Sequence, residues 1–310
     1  MKMSFLEKSQ KVGEFIKIIV DVAHDVINQS QQSVFWLSVD FRSLIACTAI
    51  KHTEAEAVAS YLLTEIRKLL NPDQTLIISA FNFNFPQTKV IDVRNTPVQS
   101  GAFGALLINK YPEHRTIHPF YSFLVFGQYE TELLKQRFTA GTGENSIFEW
   151  IVNHHTQLIC LGHHYVKSLT SIHHAEHTVK VDYRYVKHFT GEAIVLGKTS
   201  NIETDFYVRD VDRCDFSSLT LAGDQAMRAQ GLVESRLILD LHRPMLIQTI
   251  NHYPAHQLMI DNLVKTTGEP FIDYFGPIRK RDNVITARLA DSLYRQELAE
   301  KVSQVSQSLA

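Results

Sequence analysis

The chain has 310 residues, 45% of them hydrophobic and 21% charged, a balance that excludes a disordered, collagenous or wholly coiled-coil protein and supports a large core without metal or disulfide help. Thirty-one basic against 33 acidic side chains give a formal charge of −2, which removes the electrostatic case for nucleic acid or anionic lipid as the main partner. Cys47, Cys160 and Cys214, odd in number and without a CxxC spacing, argue against a disulfide framework or zinc ribbon and for a reducing compartment, by default the cytoplasm.

The first fifteen residues hold no apolar stretch followed by a small-residue cleavage site, so no secretory signal is expected. The most apolar windows, 75–81 and 158–162, are far shorter than the roughly 20 residues a bilayer requires. No repeat or Pro/Gly/Ser linker divides the chain, which predicts one α/β domain over 1–310. Within 5–29 the spacing of Phe15, Ile16, Ile19, Val20, Val22, Ala23 and Val26 predicts an amphipathic helix, and 33–37 reads as a buried strand. Residues 53–70 open with Thr53 and Glu56 as a capping box and carry Val58, Leu62, Leu63, Ile66 and Leu69 on one face. Asn71-Pro72-Asp73 ends that helix and a strand over 75–81 follows; strand, helix, strand in succession favours a parallel or mixed sheet. The run 158–161, closed by Gly162, His163 and His164, predicts a central strand whose carboxyl end borders a ligand crevice. Alternation over 179–189 predicts a half-exposed antiparallel strand, and 286–305 is helical. Trp36 and Trp150 read as core, Asp205, Asp210, Asp212 and Asp215 as a solvated loop, and Arg279-Lys280-Arg281 as a small basic cluster.

Fifteen histidines are the exceptional count, and ten lie between His114 and His188. The densest constellation is Thr170-Ser171-Ile172-His173-His174-Ala175-Glu176-His177. Ser168, Thr170 and Ser171 are natural N-caps, so a helical turn opens here with His173 and Glu176 on one face. A carboxylate fixes an imidazole's tautomer, while the positive helix end disfavours the imidazolium; together they leave a neutral, oriented base near pH 7. Two other readings stay open on spacing alone: His173 and His177 as metal ligands completed by His163 or His164, without the HExxH order, and satisfied polar residues at a helix start.

A second constellation is Arg115-Thr116-Ile117-His118-Pro119, with Ser122 and Gly127 following. An Arg and a His beside a rigid X-Pro turn, with a hydroxyl near, suit a phosphate or a carbonyl oxygen. Phe81, Phe83 and Phe85 alternate with Asn82 and Asn84. Core packing explains the pattern; alternatively Phe83 stacks on a sugar or base and Asn84 bonds its hydroxyls.

Taken together these strings resemble the aminoglycoside 3-N-acetyltransferase family, which differs from the GNAT fold. The likeness runs through Thr75–Ile78, Thr96-Pro97 with Gly101, the Arg-[Ser/Thr]-x-His-Pro-x-x-Ser-x4-Gly string at 115–127, Leu161-Gly162, and the Thr-x-x-His-x-x-Glu string at Thr170, His173 and Glu176. It covers residues 75–190 well and the ends poorly. The resemblance implies an α/β fold with a mixed, largely parallel central sheet flanked by helices, an acyl-CoA cosubstrate with no metal, an amine acceptor, and transfer in a ternary complex without a covalent enzyme intermediate. It makes His173 the base and Glu176 its partner, places His118 and Ser122 in the same cleft, and suggests Thr170 for the thioester oxyanion. Ala105 stands where the family has an acidic residue, the loop from Gly162 to Thr170 is about one residue longer, and the coenzyme loop is represented only by Ser38, Arg42 and Ser43 around Val39-Asp40-Phe41.

An aminoglycoside is a polycation and calls for an acidic cleft, since unpaired ammonium groups are costly to desolvate. The cleft segments carry Arg94, Arg115, Lys167 and Lys187 instead, which favours an amino sugar linked to a nucleoside diphosphate; a free aminoglycoside is the alternative. From other classes stand a zinc amidase built on histidines 163, 164, 173 and 177 and a non-catalytic binding protein. Oligomeric state, acyl length and the acceptor amine stay open.

Overall fold

The computed structural model describes residues 5–48, 51–265, 268–277, 279 and 283–308. Lys280 and Arg281 of the basic cluster lie outside them. The strands are β1 (Val34–Val39), β2 (Thr75–Ser79), β3 (Val90–Asp92), β4 (Phe123–Gly127), β5 (Gln157–Leu161), β6 (Arg184–Val195), β7 (Lys198–Arg209), β8 (Phe216–Leu219), β9 (Val233–Ile238), β10 (Met245–Asn251) and β11 (Ile272–Phe275). The helices are α1 (Phe5–Gln29), α2 (Phe41–Thr48), α3 (Ala55–Lys68), α4 (Phe85–Thr88), α5 (Ala102–Ile108), α6 (Glu130–Lys135), α7 (Ile147–Asn153), α8 (Ile172–Val179), α9 (Leu221–Ala229), α10 (His252–Leu263) and α11 (Ala287–Ser308).

A six-stranded sheet in the order β4-β2-β1-β5-β10-β9 forms the centre. β1 pairs parallel with both β2 and β5, Trp36 lying opposite Ile77 and Leu158. β4, β10 and β9 join antiparallel outside them. Side chains alternate across a strand, so Phe35, Leu37, Leu76, Ile78, Ile159 and Leu161 pack on one face against α1 and α3. Val34, Trp36, Ile77, Leu158 and Cys160 pack on the other with residues of α7, α8 and α10. Burial on both faces is why β1, β2 and β5 read as unbroken apolar runs.

Because those three strands run the same way, their carboxyl ends meet at one edge. There β5 ends at Gly162, whose φ of +80° turns the chain; a Cβ at that position would stand 3.0 Å from Ser43 Cβ and 3.2 Å from Met245 Sδ. A second sheet, β3-β6-β7, brings its long β6–β7 ribbon over the same edge.

Several boundaries differ from the sequence pattern. The 53–70 helix does not use Thr53 and Glu56 as a capping box: a 3-10 turn over His52–Glu54 precedes α3, and the Glu54 carboxylate accepts from the Lys51 amide at 3.3 Å. Only the carboxylate-to-amide half of such a box is present, and two residues earlier. β2 stops at Ser79 because the Asn82 side chain turns the following segment, donating to Pro97 O at 2.8 Å and accepting from Asn84 N at 2.9 Å. The alternation over 179–189 becomes strand only at Arg184, since α8 runs on to a left-handed Lys180. Asp205 is on β7 rather than in a loop, bonded to His188 at 2.8 Å. Trp36 is buried as expected, yet it also floors the cleft described next.

Candidate active site

A cleft of about 750 Å³ opens at the carboxyl ends of the parallel strands. Trp36 and Ser38 of β1 and Ser79 of β2 floor it, the 167–170 segment and His173 form one wall, and Arg184, Phe206 and Arg209 of the ribbon form the other. Trp36 Nε1 donates to Ser79 Oγ at 2.9 Å, holding the floor rigid. A crevice of about 350 Å³ lined by residues 38–42, 100–102, His163, Lys167 and Ser168 shares Ser38, Ser100, Lys167 and Ser168 with the cleft.

His173 stands in the first turn of α8. Backbone turns start that helix, Ile172 N to Leu169 O and His173 N to Thr170 O, both at 3.1 Å. Ser171 occupies the N-cap position but makes no side-chain cap bond, and its Oγ is buried without a partner. Side-chain capping by Ser168, Thr170 or Ser171 is therefore not what builds the turn.

The three-residue spacing brings His173 Nδ1 to 2.7 Å from Glu176 Oε2. Glu176 is fully buried, accepts from Tyr183 Oη at 2.9 Å, and pairs with Arg184 Nε at 2.8 Å. Arg184 also donates to Tyr207 O and, at 2.7 Å, to Ser217 Oγ. Its Nη2 lies 3.1 Å from His173 Nδ1, but Nδ1 cannot both accept from the guanidinium and donate to the carboxylate. The shorter carboxylate contact assigns the proton to Nδ1 and leaves Nε2 with its lone pair. Burial and Arg184 lower the His173 pKa against the pull of Glu176. For Glu176, burial acts upward, but His173 and Arg184 outweigh it and bring the carboxyl to about 2. At neutral pH the set is a neutral imidazole, a carboxylate and a guanidinium. Thr170 is half-buried on the same wall.

The second constellation is structural. Arg115 is buried and donates to Ser122 Oγ at 2.9 Å, Thr96 O at 2.6 Å and Ala80 O at 2.7 Å. Ser122 Oγ in turn donates to Ala80 O. His118 Nδ1 accepts from the amides of Phe120 and Tyr121, and burial lowers its pKa to about 3. None of the three lines the cleft, because each is spent tying the 80–82 and 118–122 loops together. This corrects their expected place among substrate contacts.

Phe83 does reach the rim, 46% exposed and edge-on to Tyr121. Asn84 does not; its Oδ1 accepts from Gln99 Nε2 at 3.1 Å, and Gln99 is the amide that lines the cleft. Ser38 and Arg42 line the crevice, whereas Ser43 turns inward, its Oγ donating to Asp40 Oδ2 at 3.1 Å. Asp40 Oδ1 also takes the Arg42 and Ser43 amides, so this trio builds the start of α2. Of the expected cleft cations only Lys167 is in place: Arg94 is exposed elsewhere, and Lys187 lies over the Phe189 ring. Arg184 and Arg209 stand there instead. No spacing rule ties Arg184 to Glu176, since a turn of arbitrary geometry separates α8 from β6.

The histidines weighed as a zinc set have separate partners. His163 faces Ser168, His164 faces Asp224, and His177 Nδ1 lies 2.8 Å from Thr142 O. Among the described residues no three His, Cys, Asp or Glu side chains converge as a metal site.

A neutral imidazole backed by a buried carboxylate in the wall of an open cleft is the equipment of an enzyme that deprotonates a nucleophile. Residues 59–242 match the sequence profile of the aminoglycoside 3-N-acetyltransferase family, and the chain belongs to that family. Its reaction class is accordingly coenzyme A-dependent N-acetyl transfer. No curated protein sequence matches the chain. Among solved structures it resembles AAC-VIa bound to sisomicin, with 13% identity and a TM-score of 0.58 over 82% of this chain and 97% of that one. It also resembles YokD from Bacillus subtilis, with 15% identity and a TM-score of 0.56 over 80% and 98%. AAC-IIIb in its binary complex with CoASH gives 15% and 0.55 over 81% and 97%. These likenesses establish the fold, a mixed, largely parallel sheet flanked by helices, in agreement with the resemblance read from the motifs.

Proposed function

We propose that the chain transfers an acyl group from coenzyme A directly to a primary amine of an amino sugar, with His173 as general base. The observation that carries this reading is the 2.7 Å contact between His173 and the buried Glu176 in the cleft wall. An ammonium must lose a proton before it attacks a thioester; His173 Nε2 accepts that proton and Glu176 stabilises the imidazolium. Arg184 keeps the resting imidazole neutral. Thr170, on the same wall, offers its hydroxyl to the tetrahedral oxyanion. Ser38 and Arg42, with Lys167, line the crevice assigned to the donor, where the two cations suit its phosphates.

For the acceptor, the family and the sisomicin-bound relative support an aminoglycoside ahead of a nucleotide-linked amino sugar. One observation retains the second: the cleft lining includes Lys167, Arg184 and Arg209 and no carboxylate among the described residues, so an acceptor with its own phosphates meets complementary charge. Phe83 at the rim is assigned to stack on the acceptor. No helix among the described residues is long and apolar enough to cross a membrane. The three buried free thiols accord with a reducing compartment such as the cytoplasm, and the single domain read over 1–310 is kept as part of this proposal.

Thiol release from acetyl-CoA and longer acyl-CoAs, measured against aminoglycosides, nucleotide-linked amino sugars and simple amines, tests the proposal. Release with aminoglycosides alone removes the second acceptor, and no release with any amine discards the function.

A further inference from the structure

The His173 chemistry leaves one side-chain cluster of the cleft wall unused. His163 is buried just beyond Gly162, and its Nδ1 faces Leu161 O at 3.2 Å. A carbonyl can only accept, so Nδ1 carries the proton and Nε2 presents its lone pair. Ser168 Oγ lies 2.8 Å from that Nε2, Ser38 Oγ lies 3.2 Å from it, and the two hydroxyls are 2.7 Å apart. The shorter contact directs the Ser168 proton to the imidazole, while Ser38 donates to Ser168 Oγ. Ser168 is half-buried and borders both the cleft and the donor crevice. A hydroxyl hydrogen-bonded to an imidazole whose other nitrogen is fixed by an oxygen is the arrangement that activates a serine nucleophile.

We propose that Ser168 is a second nucleophile, activated by His163 and supported by Ser38, and that it hydrolyses acyl thioesters when no amine occupies the cleft. The substrate class rests on the acyl-CoA reading above; the reactivity of Ser168 does not. In the first step Ser168 Oγ bonds the acyl carbon, the carbon–sulfur bond breaks, and the serine proton passes through His163 Nε2 to the leaving thiolate. A water oxygen then bonds the same carbon, the ester bond to Oγ breaks, and the water proton returns through His163 to Ser168. The products are a carboxylic acid and the free thiol. Burial lowers the His163 pKa to about 4, so it accepts a proton reluctantly and hydrolysis is slow beside transfer.

The test uses the full chain and an alkyl fluorophosphonate, from which an activated serine displaces fluoride; the labelled peptide is located by mass spectrometry. Label is expected on Ser168, absent from S168A, and about 100-fold slower to appear in H163Q, the scale of a lost general base. Should H163Q fail to fold by near-UV circular dichroism, S38A supplies the same comparison with a several-fold slowing. H173A is expected to lose transfer yet keep the label, so the two assignments fail separately. Amine-free thiol release from acetyl-CoA is expected to vanish in S168A. No label on Ser168, or amine-free release unchanged in S168A, overturns the proposal.

Discussion

Acid should unfold this protein early, because six of its histidines are buried in the neutral form. His118 and His174 have pKa values lowered to about 3, and His163, His164, His252 and His256 to about 4, in each case by burial first. All six are under 8% exposed. The unfolded chain binds protons at each of them with a pKa near 6.5, so between that value and 3 to 4 the unfolded state holds more protons. Stability therefore falls as pH drops through this window. From pH 7 to pH 5.5 each histidine with a folded pKa near 4 withdraws about 1.2 kcal/mol. The six together withdraw about 7 kcal/mol as an upper bound, comparable with a whole domain's stability of about 5–15 kcal/mol. Glu176 does not offset this, since its lowered pKa acts only below the ordinary carboxylate range. A thermal-melting series in matched ionic strength should show Tm falling by about 10 °C or more between pH 7 and 5.5. H256L, which removes a ring whose Nδ1 lacks a partner, should flatten the slope by about one-sixth. A Tm that stays level over that range would refute the claim that these rings are buried uncharged.

R115M should cost about 3 kcal/mol by leaving the Thr96 carbonyl without a donor and stripping Ala80 O of one of its two, read by denaturant unfolding. Turnover per folded molecule should change little, as the guanidinium does not line the cleft. Arg184 lowers the His173 pKa, so R184M should move the acidic limb of kcat/KM to higher pH; an unmoved limb would deny Arg184 its influence on the base. F83A should raise the acceptor KM about 3- to 10-fold with kcat retained, and an unchanged KM would remove Phe83 from the acceptor site.

Much of the scaffold was legible because period and length speak directly. The apolar face of α1, the unbroken runs of β1, β2 and β5, and Gly162 closing β5 all follow from local pattern. The pairing of His173 with Glu176 was legible for the same reason, since three residues on a helix fix two side chains on one face. Arg115, His118 and Ser122 show where local reading fails. Their residue types suit ligand binding and loop bracing equally, and only tertiary placement shows that Ala80 O takes both Arg115 and Ser122. Arg184 illustrates the converse: it meets Glu176 only after the chain has turned through 180–183, a geometry no spacing encodes. Asn84 and Gln99 divide the two cases, for the amide chemistry expected of one is carried into the cleft by the other.

The most direct measurement is steady-state turnover of H173A with acetyl-CoA and a saturating amine, alongside its melting temperature. General-base catalysis by His173 predicts a fall of about 100-fold or more in kcat, with a melting temperature close to that of the unaltered protein because the ring stands partly open to the cleft. Near-normal turnover in the folded variant would contradict the account at its centre.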